Sequence, residues 1–577
     1  MRQLEAIQER VGAARLLLVA IVLVLAWSSW GEHWLSALWM IAPGAGFFCA
    51  VAYHALLRRH YSYAGRAAEF YRQGLARLED RWAGTGNRGE RFGDLHHVYS
   101  ADLDLFGEGG LFELLCAART RMGEETLARW LLGPAPVGEI RQRQTAVLDL
   151  RARLDLRERI GTLGREGESV LHPGRLLAWA EAPTVLAEGW IRWAAYLLPA
   201  LLVASLVTGA LTGIWTPALV VLTAEAITLY RLRERLQQVL LPAERAFDFD
   251  GLKTFAGLLL EIEREKFDSP PMRMLGAGLS AGAMGASVRM GRLATLIMLS
   301  EQSKNLMVGW LRVPALYSLH VALATERWRR AHGMSVRGWA EAAGRFEALS
   351  SLAQYGFEHP DDPFPDFLEG RAGLRAHGIG HPLIPQSKCV RNDVSLSDRT
   401  RVWLISGSNM SGKSTLLRAV GLNVVLAMAG APVRAQGFEV TPLQVGASIR
   451  INDSLREGSS RFYAEITRLR QLNDLSGRDP PLLFLIDEML QGTNSNDRRV
   501  GAEAVLGSLI EAGAIGFATT HDLALTELGG LGGGVLRNVH FEDHLEDGRM
   551  RFDYQLREGV VTKSNGLELM RAIGLRV

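Results

Sequence analysis

The chain has 577 residues, 48% hydrophobic and 22% charged, which supplies several domain cores and excludes a disordered polymer. A formal net charge of +2 leaves no overall field to draw it to nucleic acid or acidic lipid, so any such surface is local. Cys49, Cys116 and Cys389 lie far apart without metal-ligand spacing, and read as reduced, packed thiols of a cytosolic protein.

In chain order, the first strong signals are apolar. Leu16 to Trp30 and Trp34 to Leu57 form one pair, and Trp193 to Thr212 and Ile214 to Tyr230 a second; each pair reads as a transmembrane hairpin, over 1–60 and 190–231. The first and fourth segments fall short of the roughly 20 residues of a straight span, and Glu225 sits near one such end. Trp27 and Trp30 stand where a signal peptide carries small residues. Arg2, Arg10 and Arg15 precede the first pair, Arg58, Arg59 and Arg66 follow it, and Arg231, Arg233 and Arg235 follow the second. Such flanks predict an inner-membrane protein with its large loops in the cytoplasm. The competing reading makes these segments buried core helices of a soluble protein.

Residues 61–189 and 232–365 read as helical and charged. Within the second stretch, Gly276 to Gly291 is rich in small residues and reads as a loop or a close helix contact. Asn305 to Thr325 carries Arg312, Pro314 and His320, and reads as a buried or amphipathic helix rather than a span. The helix-breaking run His359 to Phe367 marks a linker. From there strand and helix patterns alternate to the end, so 366–577 is predicted to be an α/β P-loop domain.

Gly407, Gly412, Lys413 and Ser414 fill the G-x-x-x-x-G-K-[ST] pattern, after an apolar strand, Val402 to Ile405, and before a helix, Thr415 to Leu426. Glycines let the backbone aim its N–H groups at phosphate oxygens, and the helix N-terminus adds partial positive charge. Lys413 would reach the β- and γ-phosphates, and Ser414 would ligate Mg²⁺. Only six of the 64 basic residues are Lys, so a Lys where a compact ammonium outperforms a guanidinium is informative. The apolar run from Leu482 ends in Asp487 and Glu488: Asp487 would hold Mg²⁺ and Glu488 would orient the attacking water. His521, at the end of a later strand, is placed to sense the γ-phosphate, although a lone His is more often structural. In Asn452 to Ile466, Gly458 and Ser460 offer an N–H and a hydroxyl ahead of a helix, a second anion site that needs a partner's nucleotide.

Taken together, the P-loop with Asn409-Met410, the stretch Asp453 to Phe462, Asp487-Glu488 with Gly492 to Ser495, and Thr520-His521 resemble the ATPase domain of the MutS mismatch-repair family. Val560 to Leu575 resembles the family's closing segment, Asp102 to Arg175 its helical core, and Phe346 to Ala353 the core's return. The resemblance implies a multi-domain chain: an α-helical core and lever region with two transmembrane helical hairpins, then a C-terminal α/β P-loop ATPase domain of the ABC type. It implies ATP and Mg²⁺ as cofactors, with Gly407, Ser408, Asn409, Met410, Ser411, Gly412, Lys413, Ser414 and Thr415 around the nucleotide and Lys413, Glu488 and His521 as the catalytic set. It also implies a homodimer through the ATPase domains, with Ser460 and Asn494 facing the partner's nucleotide, and DNA as a partner. Departures accompany the matches. Membrane segments stand where a mismatch-reading domain would, no Phe-x-Glu wedge is found, Cys389 replaces the aromatic expected to stack on adenine, and no nuclease module follows. A membrane-bound, protein-directed ATP switch is the alternative; an ABC transporter fits less well, with only two hairpins and no LSGGQ.

Overall fold

The computed structural model describes residues 2–28, 39, 41–164, 171–186, 189–246, 249–280, 282, 284–302, 313–408, 410–450, 461–522, 524–527, 534–546 and 549–561. Contacts divide the chain into two units, 1–79 with 155–163, and 80–154 with 164–577.

In the first unit, α1 (Arg2–Ala26) and α2 (Ile41–Leu78) lie antiparallel. Leu18 packs beside Gly46, and the Arg15 guanidinium lies 5.8 Å from the Phe47 ring. Cys49 on α2 is exposed rather than packed.

The second unit begins with α3 (Leu111–Leu115), α4 (Arg121–Leu131) and α5 (Val137–Arg151), before α6 (Leu154–Gly161) returns to the first. It continues with α7 (Pro173–Glu181), α8 (Gly189–Thr212), α9 (Thr216–Ala246), α10 (Phe249–Arg264), α11 (Pro270–Leu279), α12 (Ala286–Gln302), α13 (Tyr317–His332) and α14 (Val336–Glu358). Helix α4 starts at an N-cap, where the Thr120 side chain accepts from Gly123 N at 3.3 Å. The two halves of the expected core meet here. Buried Glu347 of α14 accepts from Arg119 N at 2.7 Å, from Thr120 N at 3.2 Å and from the Thr120 hydroxyl. Gly344 faces α4 so closely that a Cβ would sit 2.8 Å from Met122 O. Burial pushes the Glu347 carboxyl up to about 7, against hydrogen bonds that favour its charged form. The small-residue stretch Gly276 to Gly291 takes in the end of α11 and the start of α12, and Asn305 to Thr325 is described from Val313 onward, with α13 beginning at Tyr317.

Among the described residues two helices, Ile41–Leu78 and Gly189–Thr212, are long and apolar enough to cross a membrane; the apolar part of α1, Gly12–Ala26, is shorter. Ile191 and Ala195 of α8 and Leu232, Leu236 and Val239 of α9 pack with Leu319, Ala322 and Leu323 of α13. Towards the α8–α9 turn, large apolar side chains instead face outward, among them Leu211 at 82% and Val220 at 67% exposure.

Beyond α14 the chain alternates: β1 (Asp366–Phe367), β2 (Leu374–Ile379), β3 (Asn392–Leu396), β4 (Val402–Ser406), α15 (Lys413–Ala429), β5 (Gly437–Val440), β6 (Gln444–Ser448), α16 (Arg461–Ser476), β7 (Leu482–Ile486), α17 (Ser495–Glu511), β8 (Ile515–Thr520), β9 (Leu536–Glu546) and β10 (Arg549–Glu558). Among the described residues these strands form two sheets, ordered β1-β5-β2-β3 and β10-β9-β4-β8-β7-β6. In the larger sheet β9, β4, β8, β7 and β6 are parallel, and β10 closes the edge antiparallel to β9. Strands β4, β7 and β8 are buried along their whole length, as inner strands of a parallel sheet are. Leu472 of α16 and Leu506 and Leu509 of α17 join Phe484 and Ile486 of β7 in one core. Parallel neighbours end at the same sheet edge, so the loops after β4, β7 and β8 are forced together.

Candidate nucleotide site

At that edge lies a cavity of about 630 Å³, lined by residues of the P-loop, Asp487, Glu488 and the stretch from Ile379 to Asn392. Its floor is made by backbone that side chains would obstruct. Gly407 has φ +152°, and a Cβ there would meet Ser411 Oγ at 2.9 Å; Gly412 has φ +106°. Met410, at φ +71°, stands at the mouth, 85% exposed. Lys413 opens α15 and is 5% exposed; its ammonium donates to Gly407 O at 2.8 Å and Ser408 O at 2.7 Å. Burial lowers its pKa, opposed by the charges of Glu488 and Asp487. The Ser408 and Ser411 hydroxyls are buried without a hydrogen-bond partner among the described residues. Orphaned hydroxyls, an enclosed cation and a glycine-shaped floor together fit a polyanion.

Asp487 and Glu488 arrive on β7. The Ser414 hydroxyl donates to Asp487 Oδ2 at 2.5 Å, which brings together the two oxygens expected to share Mg²⁺; few protein ligands, with water and phosphate completing the shell, are what that ion takes. Among the described residues no group of three or more acidic, His or Cys side chains is placed to hold a metal. Thr519 of β8 links both acids: its hydroxyl donates to Asp487 Oδ1 at 2.5 Å and accepts from Glu488 N at 2.8 Å. Glu488 itself is left-handed, at φ +50°. His521 lies beside it, Nδ1 3.9 Å from Glu488 Oε1, and also near Gln491. Thr415 lines the cavity.

Two expected residues, Asn409 and Ser460, lie outside the described residues, as does most of the closing segment from 562 onward. Asn494 is away from this protomer's own cavity: it caps α17, accepting from Asp497 N at 2.9 Å. Cys389 does line the cavity, but its sulfur is committed, accepting from His381 N at 3.2 Å. Burial takes the His381 imidazole down to about 4, so it is neutral at pH 7, with Nδ1 accepting from Leu383 N.

Sequence reasoning missed Thr519, Tyr554 and Asn392. Tyr554 of β10 reaches the cavity from 142 residues beyond Gly412, and would lie 3.1 Å from a Cβ placed there. A register shift between Phe552 and Leu556 and a φ of +55° turn it inward, and Asn392 fixes it by donating to Tyr554 O at 3.0 Å and accepting from Leu556 N at 2.8 Å. An aromatic wall is thus present, though not where Cys389 stands. Only the pairing of Ile486 with Ala518 could have found Thr519, because it sets the next pair, Asp487 and Thr519, side by side.

Residues 403–576 match the family model of MutS domain V. A DNA mismatch repair protein MutS 2 from Halobacterium salinarum is 33% identical over 240 residues, 41% of this chain and 27% of that protein. An Endonuclease MutS2 from Thermus thermophilus is 36% identical over 196 residues, 34% of this chain and 25% of that one. The chain thus spans about a quarter of the length of these curated relatives. The family model and both relatives agree on one point: the C-terminal part of this chain, residues 403–576, is a MutS domain V.

Proposed function

We propose that this chain is a membrane-anchored, homodimeric ATPase that couples ATP binding and hydrolysis to DNA binding. The observation that carries the ATPase reading is the convergence of Lys413, Ser414, Asp487 and Glu488 on one cavity. Lys413 leaves the Gly407 and Ser408 carbonyls for the β- and γ-phosphates, while the N–H groups of Gly412 to Thr415 cradle them. Ser414 and Asp487 would hold Mg²⁺, which would supply charge neutralisation on the phosphates. Glu488 accepts a hydrogen bond from the attacking water, and His521 beside it senses the γ-phosphate. Tyr554 offers its ring to the base. Ser460 and Asn494 act on the nucleotide of the second protomer.

Membrane attachment rests on the outward apolar side chains of α1, α2, α8 and α9, with arginines at their ends placing the remainder in the cytoplasm. DNA binding follows the printed names of the relatives, one a mismatch repair protein and one an endonuclease. The test uses the full chain in detergent. Lys413→Ala is expected to lose ATP binding, and Glu488→Ala to keep it while turnover stops and dimers accumulate. Unchanged turnover in either variant overturns the site. Duplex and branched DNA are then titrated against salt; affinity that falls linearly on logarithmic axes supports the DNA reading, and no binding at low salt favours a protein-directed switch instead.

A further inference from the structure

Glu488 is followed two residues later by Leu490, and both are held left-handed, at φ +50° and +56°. Neither is glycine, and such strained conformations persist only where neighbours over-determine them. The neighbours are identifiable. Thr519 takes the N–H of Glu488 at 2.8 Å, Met489 N reaches Thr519 O at 3.4 Å, and Arg498 Nε donates to Leu490 O at 3.0 Å. The remaining bond comes from another helix: buried Glu465 of α16, 2% exposed, accepts from Leu490 N through its carboxylate. The same helix touches the loop again at Gly492, where a Cβ would lie 2.8 Å from the Cβ of Phe462. Meanwhile Met489 and Leu490 are buried in the core beneath, so the turn has no freedom to relax towards solvent.

Resting on the ATPase reading above, we propose that Glu465 is a positioning residue for hydrolysis: its bond to Leu490 N keeps the Glu488–Leu490 turn left-handed, aims the Glu488 carboxylate into the cavity, and makes α16 the element that sets whether bound ATP is cleaved. The site separates naturally into two functions. Phosphate binding uses Gly407 to Thr415, whereas water activation uses Glu488, whose backbone Glu465 helps to hold. Removing the acceptor leaves the Leu490 N–H buried and unpaired, and the turn then relieves its strain by rotating Glu488 away.

The experiment compares Glu465→Gln, Glu465→Asp and Glu465→Ala in the full chain, measuring the Kd of a fluorescent ATP analogue alongside kcat and KM for ATP. Gln keeps an acceptor at the same reach and is expected to retain kcat within about threefold. Asp keeps the charge but draws the acceptor back by one methylene, and Ala removes it; both are expected to lose about tenfold or more in kcat with Kd within about twofold. Asp also serves should Ala not fold. Wild-type turnover in Asp or Ala overturns the proposal, as does a parallel fall of binding and turnover in all three variants, which marks a purely structural carboxylate. Failure of the underlying reading looks different: the wild type itself then shows no turnover that Glu488→Ala abolishes.

Discussion

Thr519 illustrates how much chemistry one hydroxyl carries here, since it donates to one acid of β7 and accepts from the backbone of the other. Replacing it by Val conserves shape and removes both bonds. We expect Thr519→Val to lower kcat by about tenfold to a hundredfold at nearly unchanged ATP affinity, the cost of a buried unpaired N–H, and Thr519→Ser to restore it; steady-state kinetics check this. Glu347 makes a prediction about stability. Its pKa of about 7 lies above an ordinary value of 4.5, so the folded protein binds more protons between those limits. The stabilisation is therefore complete below about pH 4.5 and is lost as pH rises through 7, a change of about 3 kcal/mol. Thermal unfolding across that range is expected to show the fall in the wild type and a flatter profile in Glu347→Gln. Both residues were illegible in the sequence for one reason. Lys413 and Ser414 declare themselves because the phosphate loop is built from nine consecutive residues, whereas Glu347 meets Thr120 from 227 positions away and Thr519 meets Asp487 across 32.

Elements show the same division. The strand before the P-loop, the strand ending in Asp487-Glu488 and the helix after Ser414 were legible from apolar runs with polar ends. The junction between helical region and sheet was not, because it consists of irregular chain around Val98 to Asp104. Val98 O accepts from Ala447 N at 2.8 Å, extending β6 by one rung. Buried Asp102 accepts from Ile449 N and Arg450 N, each at 2.7 Å, while Arg418 of α15 donates to Asp102 O at 3.0 Å. Desolvation raises the Asp102 pKa against those two N–H bonds. One short loop thus holds the P-loop helix and the end of β6 together. Asp102→Ala is expected to destabilise the protein by about 1–3 kcal/mol, read as a lowered midpoint in urea with unchanged slope.

At the scale of the whole molecule, composition marked the four apolar segments, but apolarity alone does not separate helix faces buried against α13 from those turned outward; α8 and α9 contain both. A different long-range property follows from the P-loop helix. Helix α15 has 17 residues, so it is roughly 25 Å long. At its start stands Gly412 and just past its end Gly430, both left-handed, at φ +106° and +88°. Beyond Gly430 sits Arg143 of α5, stacked 3.9 Å from the Trp130 ring and donating to Ala429 O at 3.4 Å. A Cβ on Gly430 would lie 2.7 Å from that of Arg143. Both caps are thus places that only glycine fills, and the far one seats the end of the P-loop helix against Arg143, so the helix is pinned at the end away from the phosphates as firmly as at the end beside them. Gly430→Ala, which forces a Cβ into that contact at a left-handed position, is expected to destabilise the protein by about 1–3 kcal/mol, read as a lowered midpoint in urea with unchanged slope.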